Sequence, residues 1–309
     1  MILIHTPAPR EVAAYLDLFR TALPQHVFTD LEGLSRPEDV EYVITWGPPP
    51  GLFVGMSRLK GVFNLGAGVD RLLQRDDLAA EVPIYRLLDG GMAQQMVEYV
   101  RYGVLGYQRH MDIYRRQQTA GVWKMLPPRL PAAVRVGVLG LGEIGGQVAR
   151  ALAADGYRVQ GWSRSAHTLP GILCHHGPTG LDTVLNESDV LVCVLPSTPQ
   201  TRGLLDATRL ARLPPGAMVI NAGRGDLLDL DAVQGLLESG QLRAAQLDVF
   251  PEEPLPPAHP LWRHPAVTIT PHVAAITLRQ EAVEQISANL RRLAEGSEPL
   301  GKVARTQGY

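Results

Sequence analysis

Val134-Arg135-Val136-Gly137-Val138-Leu139-Gly140-Leu141-Gly142-Glu143-Ile144-Gly145 is the stretch whose reading decides the fold. Its first six residues form a short β-branched run of the kind buried in a parallel sheet. The next six are a GxGxxG, followed by a helical pattern over residues 147–154 and a second strand over 157–162. Gly140 then makes the tight turn, Gly142 lets the backbone approach a pyrophosphate, and Gly145 lets the helix pack close to the strand. The free N–H groups and positive dipole end of that helix then face the phosphates. Glycine-rich turns are common, and a GxGxxG alone means little. Here it lies between the required strand and the required helix, which favours dinucleotide binding over a merely structural turn.

The end of the second strand refines the choice of cofactor. An NAD site usually places Asp or Glu about 20 residues after the first glycine, to hold the ribose 2′-hydroxyl. No acid occurs between Gly156 and Leu181; the chain offers Trp162-Ser163-Arg164-Ser165 instead. An arginine and two hydroxyls suit a 2′-phosphate, because guanidinium pairs with phosphate through two parallel charge-assisted bonds. Arg164 could also be an ordinary solvated charge. With the acid missing, NADP is favoured over NAD.

The 309 residues fit two α/β domains with sizeable cores. A formal charge of −2 gives no basic surface for nucleic acid or membrane partners. Two cysteines, Cys174 and Cys193, cannot make a disulfide framework. Met1-Ile2-Leu3-Ile4-His5 lacks the basic region and long apolar stretch of a signal peptide, and no run approaches membrane-spanning length. A soluble cytoplasmic protein is expected.

Upstream, strands are expected over residues 2–4, 40–46, 61–65 and 82–87, with an amphipathic helix over 11–22. Strands separated by helical stretches indicate a second parallel α/β unit. Residues 92–118 read as one long helix that could connect two domains, and Pro127-Pro128-Arg129-Leu130-Pro131 as a linker. The cofactor domain continues with strands over 190–195, 217–220, 244–248 and 268–270. Their ends carry Pro196-Ser197-Thr198-Pro199, Asn221-Ala222-Gly223-Arg224-Gly225, Asp248-Val249-Phe250 and Pro271-His272-Val273. In open α/β sheets, ligands bind at such carboxyl ends. A last helix is expected over 278–295, packing back on the first domain. His175-His176 reads as a loop pair without metal-ligand spacing, and His259, His264 and His272 lack partner ligands, so no metal site is expected.

With these loops in hand, the chain resembles the D-2-hydroxyacid dehydrogenase family. The resemblance rests on Leu65-Gly66-Ala67-Gly68-Val69-Asp70, the GxGxxG, Asn221-Ala222-Gly223-Arg224-Gly225, Leu247-Asp248-Val249-Phe250 with Glu253-Pro254-Leu255-Pro256, and Thr270-Pro271-His272-Val273-Ala274-Ala275. Within the family it is most similar to the NADPH-dependent glyoxylate/hydroxypyruvate reductase group. Trp162-Ser163-Arg164, Gly91-Met92 with Gln95-Met96, Trp46-Gly47-Pro48-Pro49 and the terminal Gly308-Tyr309 carry that likeness. It implies two doubly wound parallel-sheet domains, a Rossmann cofactor domain (99–272) inserted in a flavodoxin-like substrate domain (1–98 and 273–309). It also implies a homodimer.

The resemblance further implies residue roles. His272 is the general acid, since histidine titrates near working pH. Glu253 is the carboxylate that orients it and favours its protonated form, with Glu252 a competing candidate. Arg224 binds the substrate carboxylate and polarises the carbonyl. Backbone N–H groups of Ala67, Gly68 and Val69 form an anion nest for the same carboxylate, and Trp46 and Met92 are either pocket wall or core. Asp248 is the partner of the nicotinamide carboxamide. Leu195, Pro196, Thr201, Ala222, Gly223, His272 and Ala274 join the glycine turn, Glu143, Ile144, Ser163, Arg164 and Ser165 around the cofactor. Ala222-Gly223 stands where many relatives have a bulkier residue and alanine, a departure that bears on cofactor contact.

The expected activity is NADPH-dependent reduction of small 2-oxo acids, with glyoxylate and hydroxypyruvate leading. The alternatives are a dehydrogenase of larger 2-oxo acids or one using NADH, and, from another class, a dinucleotide-sensing protein without turnover. Retention of Arg224, Glu253 and His272 together weighs against a sensor, which needs no proton donor.

Overall fold

A computed structural model describes every residue except Gln307 and Tyr309, so the terminal tyrosine of the group likeness lies outside the described residues. The chain divides into two compact units, Met1–Met92 with Ile276–Tyr309, and Ala93–Ala275. The first unit therefore ends at Met92 rather than residue 98, and resumes at Ile276 rather than 273. The cause lies in the helix Met92–Gln108: its Val97, Val100 and Val104 are buried in the core of the second unit together with Val134, Val136 and Val138.

The first unit is built on a five-stranded parallel sheet of β1 (Ile2–His5), β2 (Phe28–Thr29), β3 (Tyr42–Thr45), β4 (Gly61–Asn64) and β5 (Ile84–Tyr85), ordered β2-β1-β3-β4-β5. That is the flavodoxin-like order. β1 and β4 are buried at every residue, as expected for strands covered on both faces. The helix Pro9–Ala22 starts with proline at its first position, where the missing N–H costs nothing, and buries Val12, Tyr15, Leu16 and Phe19. The last helix, Arg279–Ala294, lies beside it: Arg279 pairs with Glu11 at 3.8 Å and stacks over Tyr15 at 5.6 Å.

The second unit carries seven parallel strands: β6 (Arg135–Leu139), β7 (Arg158–Ser163), β8 (Leu173–His176), β9 (Val190–Cys193), β10 (Ala217–Asn221), β11 (Leu242–Leu247) and β12 (Val267–Ile269). Their order is β12-β11-β10-β9-β6-β7-β8, so the winding reverses between β6 and β9. This is the Rossmann arrangement, and the reversal is the switch point at which such sheets bind ligands.

Two expectations are corrected. Residues 92–118 are not one helix but two, Met92–Gln108 and Met111–Thr119, because His110 takes a left-handed conformation (φ 59°) through which a right-handed helix cannot run. His175 and His176 are not in a loop but on the edge strand β8, paired with Trp162 and Ser163 of β7. Among the described residues, no helix is long and apolar enough to cross a membrane, and no three His, Cys, Asp or Glu side chains gather as metal ligands.

Candidate active site

The glycine turn follows β6 at the carboxyl end of the second sheet. Gly140 has φ 102°, open to glycine but not to other residues, and its N–H bonds Trp162 O at 2.8 Å. A Cβ on Gly145 would collide with the Gly140 carbonyl, whereas one on Gly142 would meet open space. The helix Glu143–Ala154 is capped by Gly142 with no side chain to bond its first-turn amides, which suits them to a phosphate. Glu143 accepts from Gln147 at 3.1 Å on the exposed face, and Ile144 packs half-buried on the core. These are the features a pyrophosphate needs.

At the end of β7, the buried Ser163 hydroxyl donates to Ser165 O at 2.8 Å and so shapes its own turn. His167 Nδ1 lies 3.1 Å from both Ser163 Oγ and Ser165 O, while Arg164 is exposed beside them. After β9, Leu195 is buried and Thr201 Oγ1 donates to Pro196 O at 2.6 Å, closing that loop on itself. Ala222 is buried after β10. A Cβ on Gly223 would come within 2.7 Å of Leu195 O, so only glycine lets these two loops approach.

The chemistry-bearing side chains of the second unit converge at the same sheet end. Asn221 shapes the loop around Arg224: its Oδ1 accepts from Gly223 N at 3.2 Å, and its Nδ2 donates to Arg224 O at 3.0 Å. The half-buried Arg224 guanidinium donates to Gly223 O at 2.8 Å. Glu253, not Glu252, bonds the histidine. Its Oε1 accepts from Phe250 N at 3.0 Å, and its Oε2 lies 2.8 Å from His272 Nδ1. A carboxylate can only accept, so Nδ1 carries the proton, and Nε2 is the ring nitrogen left for a substrate. His272 has φ 56°, uncommon for a residue with a side chain. The buried Asp248 fastens this loop: its main-chain carbonyl accepts from His272 N at 2.9 Å, and its carboxylate accepts from Val273 N and Ala274 N, each at 2.9 Å.

The first unit holds a separate cluster at the end of its sheet. Asn64, buried at the end of β4, donates to Gly66 O at 3.0 Å and Gly68 O at 2.8 Å. Two carbonyls drawn onto one amide fix the turn that includes Ala67 and Gly68. Trp46 is 43 % exposed and its ring lies against Gly66, where a Cβ would clash. Met92 is buried, with its sulfur 3.8 Å from the Thr277 hydroxyl, which donates to Leu65 O at 2.8 Å. Trp46 therefore faces solvent and Met92 faces core.

Comparison with known proteins follows the same lines. Residues 102–274 match the D-isomer specific 2-hydroxyacid dehydrogenase, NAD binding domain. The chain belongs to this family. It is 46 % identical over 282 residues to glyoxylate/hydroxypyruvate reductase A of Serratia proteamaculans, covering 90 % of each chain. A family member from Xanthobacter autotrophicus Py2, solved with NADPH and MES, superposes with a TM-score of 0.95 at 40 % identity, covering 100 % of this chain and 99 % of that one. The NADPH-dependent glyoxylate/hydroxypyruvate reductase of Sinorhizobium meliloti, solved with NADP and sulfate, gives 0.92 at 34 % identity, covering 100 % and 99 %.

The loops of the candidate site are held by side chains to which the sequence reading gives no role. Asn221, Asn64, His167, Thr270 and Tyr99 shape the functional loops. Asn221 and Thr270 open two of the quoted motifs, which give them no role of their own. Tyr99 sits 171 positions from Thr270, and no spacing announces that contact.

Proposed function

We propose that this D-2-hydroxyacid dehydrogenase reduces small 2-oxo acids with NADPH, glyoxylate and hydroxypyruvate being the leading substrates. The observation that carries the reading is the 2.8 Å bond between Glu253 and His272 Nδ1. It leaves Nε2 of an acid–base side chain for the substrate. NADPH, when bound, supplies the hydride for the carbonyl carbon. His272 Nε2 delivers the proton to the carbonyl oxygen, and Glu253 holds the ring in orientation through Nδ1. Arg224 binds the carboxylate with its planar fork and draws charge from the carbonyl. In the first unit, the Ala67 and Gly68 amides bind a carboxylate, in a turn set by Asn64.

The second unit is the dinucleotide-binding domain and the first the substrate domain. Gly140, Gly142 and Gly145 accept the pyrophosphate, with Leu195, Pro196, Thr201, Ala222, Gly223, Asp248 and Ala274 forming the rest of the cofactor surface. Arg164, in a turn shaped by Ser163 and Ser165 and on a stretch of sequence with no acid between Gly156 and Leu181, favours the 2′-phosphate of NADPH over NADH. The two solved relatives described above hold NADPH and NADP. The protein acts in the cytoplasm, consistent with two free cysteines. It works as a homodimer, consistent with the exposed Val122, Trp123, Met125 and Leu130, four large apolar side chains on one short stretch.

Initial rates with glyoxylate, hydroxypyruvate and bulkier 2-oxo acids, each with NADPH and NADH, test the reading. The proposal expects the highest kcat/KM for the two small acids with NADPH. Faster reduction of the bulky acids, or preference for NADH, would overturn it.

A further inference from the structure

Behind the loop of His272 runs a chain of hydroxyl groups that no catalytic role has yet used. Thr270 directly follows β12, and its Oγ1 donates to Asp248 Oδ1 at 2.6 Å. Tyr99 Oη lies 2.8 Å from the same Oγ1. The direction of both bonds is fixed by proton count. The Asp248 carboxylate already accepts from Val273 N and Ala274 N and has no proton to give. The one hydroxyl proton of Thr270 therefore goes to Asp248, and its oxygen accepts from Tyr99. Tyr99 is on the helix Met92–Gln108, which is hooked to β11 by Gln246 Nε2 donating to Tyr99 O at 3.1 Å. Burial pushes the Tyr99 phenol up to about 12, so it remains a donor throughout the working range.

The far end of the chain matters because His272 is in left-handed backbone, and such a residue stays there only when its surroundings over-determine it. Here the surroundings are Asp248: three consecutive amides, His272, Val273 and Ala274, all donate to it. His272 N donates to the main-chain carbonyl and the other two to the carboxylate, which would serve those two poorly if it were free to rotate. Thr270 pins its rotation, and Tyr99 pins Thr270.

We propose that Tyr99 and Thr270 are positioning residues for the reaction, fixing the Asp248 carboxylate and through it the catalytic loop of His272. This rests on the reading of His272 as proton donor. Neither residue touches substrate; both act through Asp248.

Thr270→Val keeps the shape and removes the hydroxyl, Tyr99→Phe removes only the phenol oxygen, and Thr270→Ser restores the donor. With NADPH and glyoxylate, kcat should fall about tenfold in Thr270→Val, the rate equivalent of one charge-assisted hydrogen bond. It should fall less in Tyr99→Phe, with glyoxylate KM and NADPH Kd kept within about twofold, and recover in Thr270→Ser. Tyr99→Phe added to Thr270→Val should cost nothing further, because the link is already cut. Without cofactor, hydrogen exchange of the Val273 and Ala274 amides should quicken in Thr270→Val while the strands keep their protection. Wild-type kcat with unchanged exchange in Thr270→Val would overturn the proposal. So would a loss that Thr270→Ser fails to restore and that accompanies faster exchange throughout the sheet, which would mark a purely structural role. A parent protein without turnover would defeat the reductase reading instead, and the exchange measurement would still judge the loop.

Discussion

Replacing Glu253 with Gln removes one charge and almost nothing else. The side chain keeps its length and an oxygen that can still accept from Phe250 N or from His272 Nδ1, 3.0 and 2.8 Å away in the parent. What it loses is the attraction between a carboxylate and an imidazolium. A hydrogen bond to a charged group is worth about 1.5–3 kcal/mol. The two side chains are 43 % and 28 % exposed, so water screens them and the lower end applies. About 1.5 kcal/mol corresponds to about a tenfold loss of kcat at neutral pH if the charged ring is the proton donor. The assay is kcat and kcat/KM for glyoxylate with saturating NADPH across pH. A Gln variant with parental rates would refute the role given to this pair. A loss confined to NADPH affinity would also refute it, since Glu253 has been assigned no cofactor contact.

Arg224→Lys keeps the charge but loses the fork; kcat/KM for glyoxylate should drop by at least about tenfold, and near-parental turnover would sink the assignment. Gly145→Ala puts a methyl onto the Gly140 carbonyl and should abolish tight NADPH binding in calorimetric titration, or the folded state altogether in thermal melts; unimpaired binding would contradict the turn geometry. Asp189 gives a pH-dependent prediction. Burial would raise its carboxyl, but hydrogen bonds from the Arg135 side chain and amide, with Arg129 nearby, hold it below the usual range. A group depressed on folding contributes stability above its unfolded value, about 3.9, that is lost as pH falls through the folded value. Asp189→Asn should therefore lower Tm at neutral pH and flatten its dependence below about pH 4; a variant whose Tm falls as steeply with acid as the parent's would contradict this.

What the sequence made legible was local or periodic. The strand, glycine turn and helix of residues 134–154 announce themselves because each constraint acts between near neighbours, and Gly140 at φ 102° and the tight fit at Gly145 are the physical reasons those glycines stand there. Near-continuous apolar runs marked the buried strands. The edge strand β8, reading Leu-Cys-His-His, has no such run, since only β7 pairs with it. The break at His110 was hidden because no glycine or proline marks it. Its cause lies elsewhere in the fold: Tyr107, just before the break, is overlain by the Arg243 and Arg129 guanidiniums at 3.7 and 5.0 Å. Arg243 also pairs at 3.0 Å with Asp112, in the first turn of the next helix. In the site, family motifs pointed to Arg224, Glu253 and His272, but composition and spacing held no sign of what holds them. Asp248 illustrates the gap. The motif suggested a cofactor contact but gave no sign that the carboxylate also accepts from Thr270, Val273 and Ala274, partners 22 to 26 residues away.

The most direct test of the central claim is the loss of nicotinamide absorbance when NADPH and glyoxylate are mixed with the parent and with His272→Ala, NADPH affinity being measured for both by titration. The account predicts rapid loss with the parent, none above background with the variant, and equal NADPH binding within about threefold, since one truncated side chain removes little of a dinucleotide interface. Parental turnover in His272→Ala, or tight NADPH binding by a parent that reduces no 2-oxo acid, would contradict it.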